Sequence, residues 1–149
     1  MSNSRQTRIA PFILIGLALI GLAVAFYDSY SIYNNQLLWC PPPINGCNDV
    51  AESPYARIFG VPIGYYGVVY YLDMLGLAAL LAYDPWAQGL RIGAALLAAL
   101  GVLFSLYFMV LQIGYIHAFC IYCAVSAATT LLLTVTAVMH LKKPRASAS

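Results

Sequence analysis

The chain has 149 residues, of which 62% are hydrophobic and only 8% charged, with a formal net charge of +2. An ordinary globular chain carries about 25% charged residues, so this one cannot cover a water-facing surface, and its solvent is lipid. No basic stripe with interleaved aromatics marks a nucleic-acid surface, and nucleic acid is excluded as a partner.

In chain order, Arg5 and Arg8 precede a 19-residue uncharged run, Ile9 to Tyr27, about the length that crosses ~30 Å of hydrocarbon. A first helix is expected over 9–33. Ala23-Val24-Ala25 resembles a signal-peptidase site, but the run is longer than a usual signal core and is expected to be retained. A polar loop, 34–61, follows. Within it, Ser53-Pro54-Tyr55-Ala56-Arg57-Ile58-Phe59 reads as a short helix lying on the membrane surface, with serine as N-cap and proline at the first position.

A second apolar run, interrupted only by Asp73, predicts a helix over 62–83, and Asp84-Pro85-Trp86 reads as an interfacial turn. Ile92 to Leu141 is 50 residues without Asp, Glu, Lys or Arg. A single helix of that length would be about 75 Å long, more than twice the membrane core, so the segment must fold back. The polar cluster Gln112, Gly114 and His117 marks a hairpin near Tyr115 to Ala118, giving helices over 90–115 and 119–141. The expected fold is an all-α, four-transmembrane-helix bundle, one domain over 1–149, with a long extracytoplasmic loop carrying a short interfacial helix. The segment from Pro144 to Ser149 is expected to be a loose tail.

Four crossings put both termini on one side. Arg5, Arg8, Arg91, Lys142, Lys143 and Arg145, six of the seven basic residues, then share that side, which the positive-inside rule assigns to the cytoplasm. The loop and the hairpin face outward together, and so do all four cysteines.

Cys40 and Cys47 bracket a stiff Pro-Pro-Pro stretch and an Asn45-Gly46 turn. Cys120 and Cys123 form a Cys-x-x-Cys at the start of the fourth helix. The plainest reading is two structural crosslinks in an oxidising compartment. Against it, a bridge between residues three apart removes little chain entropy, whereas a thiol in a first helical turn gains thiolate character from the helix dipole. The Cys-x-x-Cys therefore reads as redox-active. The loop pair reads as an exposed, mobile relay whose sulfurs can meet without anchoring the loop, with Trp39 at the interface.

The loop pair, Cys47-Asn48-Asp49-Val50, Ser53-Pro54-Tyr55-Ala56, Phe59-Gly60-Val61-Pro62, Gly67 and Cys120-Ile-Tyr-Cys123 together resemble the vitamin K epoxide reductase family, including its bacterial and archaeal quinone-reducing members. The resemblance runs from the first helix to the fourth. It implies a prokaryotic multi-pass thiol:quinone oxidoreductase with catalytic Cys40, Cys47, Cys120 and Cys123. A separate extracytoplasmic thioredoxin-fold protein would attack through Cys40. Cys47 would then attack Cys120, and Cys123 would face a quinone, ubiquinone or menaquinone, with no metal. Ser53 matches a family hydroxyl near the quinone site, as donor or loop brace. The family's animal enzymes carry a tyrosine where this chain has Ala127, and an asparagine in the second helix that has no counterpart here. Both departures favour quinone reduction over epoxide reduction.

Asp28 and His117 are proton-transfer candidates, and Tyr122 a quinone-site candidate. An interfacial loop role is the plainer reading of His117, and helix packing that of Tyr65, Tyr66, Tyr70 and Tyr71. Asp73 is expected far from the cysteines, in a structural hydrogen bond. Rival functions are the other four-helix quinone-linked disulfide-forming family, whose Cys-x-x-Cys comes early, a structural membrane subunit, and a soft-metal-ion binder or transporter built on four thiolates.

Overall fold

A computed structural model describes residues 2–144; Arg145, cited above for orientation, and most of the expected tail lie outside the described residues. Four helices are long and apolar enough to cross a membrane: α1 (Ser2–Tyr33), α3 (Ile63–Tyr83), α4 (Gln88–Leu111, extended by a π-helical turn Gln112–Ile116) and α5 (Ile121–Leu141). In lipid every backbone polar group must be satisfied within the chain, and a helix does so residue by residue. α1 begins before the apolar run, because the polar residues ahead of Ile9 prolong the helix without entering hydrocarbon.

The helices run up and down in a ring: α1 packs on α3 and α5, and α4 packs on α5 and, less extensively, on α3. The seams are built from small residues. Ala18, Ala25, Ala78, Ala94, Ala98 and Ala137 are buried between helices, as expected where the backbone-to-backbone approach, rather than escape from water, supplies packing energy. The Tyr71 hydroxyl sits 2.8 Å from Ser126 Oγ and 3.3 Å from Thr130 Oγ1, tying α3 to α5.

At the end bearing the termini, Arg91 is buried in α4 with 1% of its surface exposed. Its Nη2 donates to the carbonyls of His140, Leu141 (3.0 Å) and Lys143 (2.8 Å). These carbonyls belong to the last turn of α5 and the residues after it, where no further helix supplies donors. Arg91 is therefore a C-terminal cap provided by a neighbouring helix, beside the Trp86 ring at 5.9 Å.

The other end carries the loop, and here the structure corrects the sequence reading twice. The short helix is α2 (Gly46–Glu52), not the stretch from Ser53 to Phe59. Ser53 and Pro54 do start a turn, but only a single 3-10 turn (Pro54–Ala56), and the chain then forms a two-residue β-hairpin, β1 (Arg57–Ile58) with β2 (Val61–Pro62). The reason lies at its tip: Phe59 and Gly60 both take positive φ, 51° and 80°, the geometry of the tight turns that match strand twist. Second, α5 begins at Ile121, so Cys120 is its N-cap rather than a first-turn residue. His117, at φ 55°, ends the α4 segment in left-handed conformation, and Ala118 to Cys120 then run without helical structure to the start of α5.

Arg91→Met should lower the unfolding free energy in detergent by about 2–3 kcal/mol, the range for removing hydrogen bonds from a charged donor. Thermal or denaturant unfolding monitored by circular dichroism checks this, and wild-type stability would refute the capping role.

Candidate active site

The site is assembled where α2 lies across the start of α5. Cys40 and Cys47 form a disulfide across a Cα–Cα distance of 6.3 Å, while Cys120 and Cys123 are free thiols. Cys47 has no exposed surface and Cys120 only 2%; with Leu38 they form one buried cluster, against which Cys40, Tyr122 and Cys123 pack. The loop disulfide is thus neither exposed throughout nor free to swing, contrary to the expectation for a mobile relay. Only its Cys40 side reaches the surface.

Three local features hold it there. Asn48 bonds both ways with the backbone of Leu38: Leu38 N–H donates to Asn48 Oδ1 at 2.8 Å, and Asn48 Nδ2 donates to Leu38 O at 3.4 Å. The Tyr122 hydroxyl, from inside the Cys-x-x-Cys, donates to Trp39 O at 2.5 Å. Gly46 provides the third. A Cβ placed on it would lie 2.5 Å from Phe119 N and 2.6 Å from Phe119 O, so only a residue without a side chain lets α2 approach the segment leading into Cys120.

Cys120, as N-cap, has the free N–H groups of the first turn of α5 beside its sulfur. The hydrogen bond from the Cys123 thiol is the largest influence and holds the Cys120 thiol below the ordinary range. Burial opposes it, and the backbone N–H groups of Cys123 and Tyr122 add to it. Gln112, buried at 2% exposure, accepts the Cys120 N–H at 3.1 Å on its Oε1.

Beneath the sulfurs lies a cavity of about 360 Å³ running between the helices. Cys47, Cys120 and Cys123 border it at one end, with Asp28, Gln112 and Ser126 close by; Tyr70, Phe104 and Phe108 line its middle. Val69, Leu100 and Phe104 also have exposed surface, so the cavity opens sideways between α3 and α4, toward lipid.

The other sequence candidates fall as follows. Asp28 lines the cavity and faces Cys120 and Cys123. Tyr122 lines it and meets the Tyr27 ring at 5.4 Å between centroids, tilted by 44°. Ser53 borders it, with Oγ donating to Val50 O at 2.7 Å. His117 is exposed, and its left-handed backbone is a turn feature. Asp73, expected far away, borders the same cavity and is exposed; the cavity reaches it because it runs along α3 for two and more turns. Asn48, Gly46 and Gln112 were missed as site residues. Asn48 stood in the family-like motif but gave no signal of its own, and Gln112 was read only as a polar breakpoint. Among the described residues, no three His, Cys, Asp or Glu side chains gather into a metal-ligand set.

A model of the vitamin K epoxide reductase family matches residues 12–138. No significant match is found among curated proteins. The family match begins in the first crossing and ends in the last, and so takes in every element that builds the site: the chain belongs to the vitamin K epoxide reductase family.

Proposed function

We propose that the protein is a thiol:quinone oxidoreductase that reoxidises a separate thioredoxin-fold protein outside a prokaryotic cytoplasmic membrane and so supports disulfide formation. Family membership makes it a membrane oxidoreductase; the finer reading is carried by one observation, the burial of Cys47 against Cys120 at the mouth of an apolar cavity. A structural crosslink needs no second thiol pair packed against it.

The thiol steps balance as follows. A partner thiolate attacks Cys40, the sulfur with surface access, and Cys47 leaves as thiolate. The partner's second thiol resolves that mixed disulfide, leaving Cys40 and Cys47 reduced. Cys47 attacks Cys120 of an oxidised Cys120–Cys123 pair, and the electron pair of the broken bond goes to Cys123. Cys40 then attacks Cys47, the loop disulfide re-forms, and Cys120 is released. The dithiol must next lose two electrons and two protons to close its own disulfide.

A quinone supplies the acceptor for both when bound. The cavity suits such a ligand: its volume is in the range of small-molecule sites, its walls are aromatic and aliphatic, and its lateral opening admits a molecule dissolved in lipid. Tyr70 and Phe104 offer rings against a planar head, and Asp28 is placed to pass protons from the thiols. Ser53, through its bond to Val50, braces α2 over the cavity roof. The termini end, with Arg91, Lys142 and Lys143, is the cytoplasmic one by the charge rule.

Purified protein in detergent should oxidise a reduced thioredoxin-fold protein only when quinone is supplied; equal rates with and without quinone would refute the reading. Cys123→Ala should trap a Cys47–Cys120 disulfide, visible by non-reducing peptide mapping, and retained turnover without any trapped species would count against the relay. Gly46→Val, which leaves all four cysteines in place, should slow transfer between the pairs at least tenfold, equivalent to about 1.4 kcal/mol of barrier. Rapid-quench alkylation of the loop thiols measures it, and an unchanged rate would mean that the close approach at Gly46 is not required.

A further inference from the structure

Cys40 has to be approached from the side on which it has surface, and the residues just before it decide what an arriving protein meets. Residues 36–41, past the end of α1, run without helix or turn. Exposure alternates there: Leu37 is 78% exposed, Leu38 is buried and Trp39 is 70% exposed. This is the pattern of extended backbone, whose successive side chains face opposite ways. Leu38 packs with Cys47 and Cys120, so Leu37 and Trp39 face away from that buried cluster, beside Cys40.

The two backbone edges of this segment are unequal. In extended chain the N–H and C=O of one residue point to one edge, and those of its neighbours to the other. The Leu38 edge is filled, since both groups bond the Asn48 side chain. On the opposite edge Trp39 O accepts the Tyr122 hydroxyl, while the Trp39 N–H and both backbone groups of Leu37 bond no described residue. Unpaired backbone groups do not face hydrocarbon, so this edge faces water. Two large apolar side chains beside a half-open edge in water are what an extended-peptide interface presents. Pro41, Pro42 and Pro43 have no N–H to offer, so backbone pairing is confined to the N-terminal side of the prolines.

We propose that residues 37–40 are the docking segment for the thioredoxin-fold partner. Trp39 and Leu37 enter an apolar groove beside the partner's reactive cysteine, and the free backbone groups pair with extended chain at the groove's rim. Main-chain bonds of this kind supply affinity and the side-chain pockets supply selectivity. Docking brings the partner's thiolate to Cys40 Sγ: the bond from the partner's sulfur to Cys40 forms, the Cys40–Cys47 bond breaks, and its electron pair leaves on Cys47. The surface rests on the relay proposed above, and its test separates the two.

Cys120→Ser together with Cys123→Ser leaves Cys40 and Cys47 as the chain's two cysteines. In this background the loop disulfide is reduced by reduced thioredoxin and, in parallel, by dithiothreitol, which has no groove. Loop thiols are alkylated at intervals and quantified by mass spectrometry. The ratio of the two rate constants reads docking and cancels any change in the disulfide itself. Trp39→Ser should lower that ratio about tenfold or more, as loss of a buried tryptophan anchor does, and Leu37→Ser should lower it by less. Phe59→Ser, which removes a ring 97% exposed at the hairpin tip, should leave it unchanged. Unchanged ratios in both segment variants, or an equal fall with Phe59→Ser, would overturn the docking segment and leave the relay standing. If Trp39→Ser does not fold, Leu37→Ser still decides. Failure of thioredoxin to reduce the parent would strike the relay, and this surface with it. Trp86→Phe makes Trp39 the sole tryptophan; in vesicles of phosphatidylcholine with brominated acyl chains its fluorescence should persist, and quenching would assign the side chain to lipid and overturn the proposal.

Discussion

The architecture depends on one close contact, that of α2 with the segment leading into Cys120. Disulfide exchange requires the attacking sulfur to approach along the axis of the bond it breaks, and two thiol pairs on separate segments meet that condition only if something holds the segments together. Here the backbone of Gly46 lies against that of Phe119, Asn48 stitches α2 to Leu38, and Tyr122 reaches from between the Cys-x-x-Cys sulfurs to Trp39. The Asn48 and Tyr122 bonds use backbone groups that would otherwise need water at the membrane boundary. The same bonds that satisfy the loop's polar groups therefore also set the distance between the two pairs.

The rest of the bundle can be read as support for that contact. Small residues at the helix seams let α1, α3 and α5 close tightly, and Arg91 fixes the far end of α5 through its carbonyls. The α3–α4 seam is looser near the loop end, where aromatic side chains line a cavity instead of filling the seam. In the proposed function a lipid-soluble reactant would need such an opening on the flank, because the mouth at the loop end is occupied by the loop and its disulfide. Rigid closure at one end and a lateral gap at the other are compatible because helix packing in lipid is set seam by seam.

The sequence was most legible where lipid imposes its own rules. Charge-free runs of bilayer length, a 50-residue stretch that could not be one helix, and the polar break at Gln112 to His117 led directly to four crossings and a hairpin, and the observed spans differ from expectation by a few residues at most, apart from the polar start of α1. The loop was less legible. Ser53-Pro54 carries a helix-start signal, yet Phe59-Gly60 forms a tight turn and converts the following residues into a hairpin. The short helix fell instead on Gly46 to Glu52, a stretch whose one strong local cue, Asn-Gly, reads as a turn.

Taken by itself, then, the sequence determined the solvent, the number of crossings, and the presence of two cysteine pairs near one end, because hydrophobic run length and charge placement act locally and the bilayer reads them directly. The tertiary structure alone decided that Cys47 is buried against Cys120, that Cys120 is an N-cap, and that the Gln112 side chain accepts the Cys120 N–H. Those facts depend on contacts between segments far apart in the chain, such as Tyr122 with Trp39, whose sequence separation is 83. No local pattern encodes the meeting of two such segments; packing of the bundle brings them together, and the glycine that permits it looks in sequence like any other turn residue.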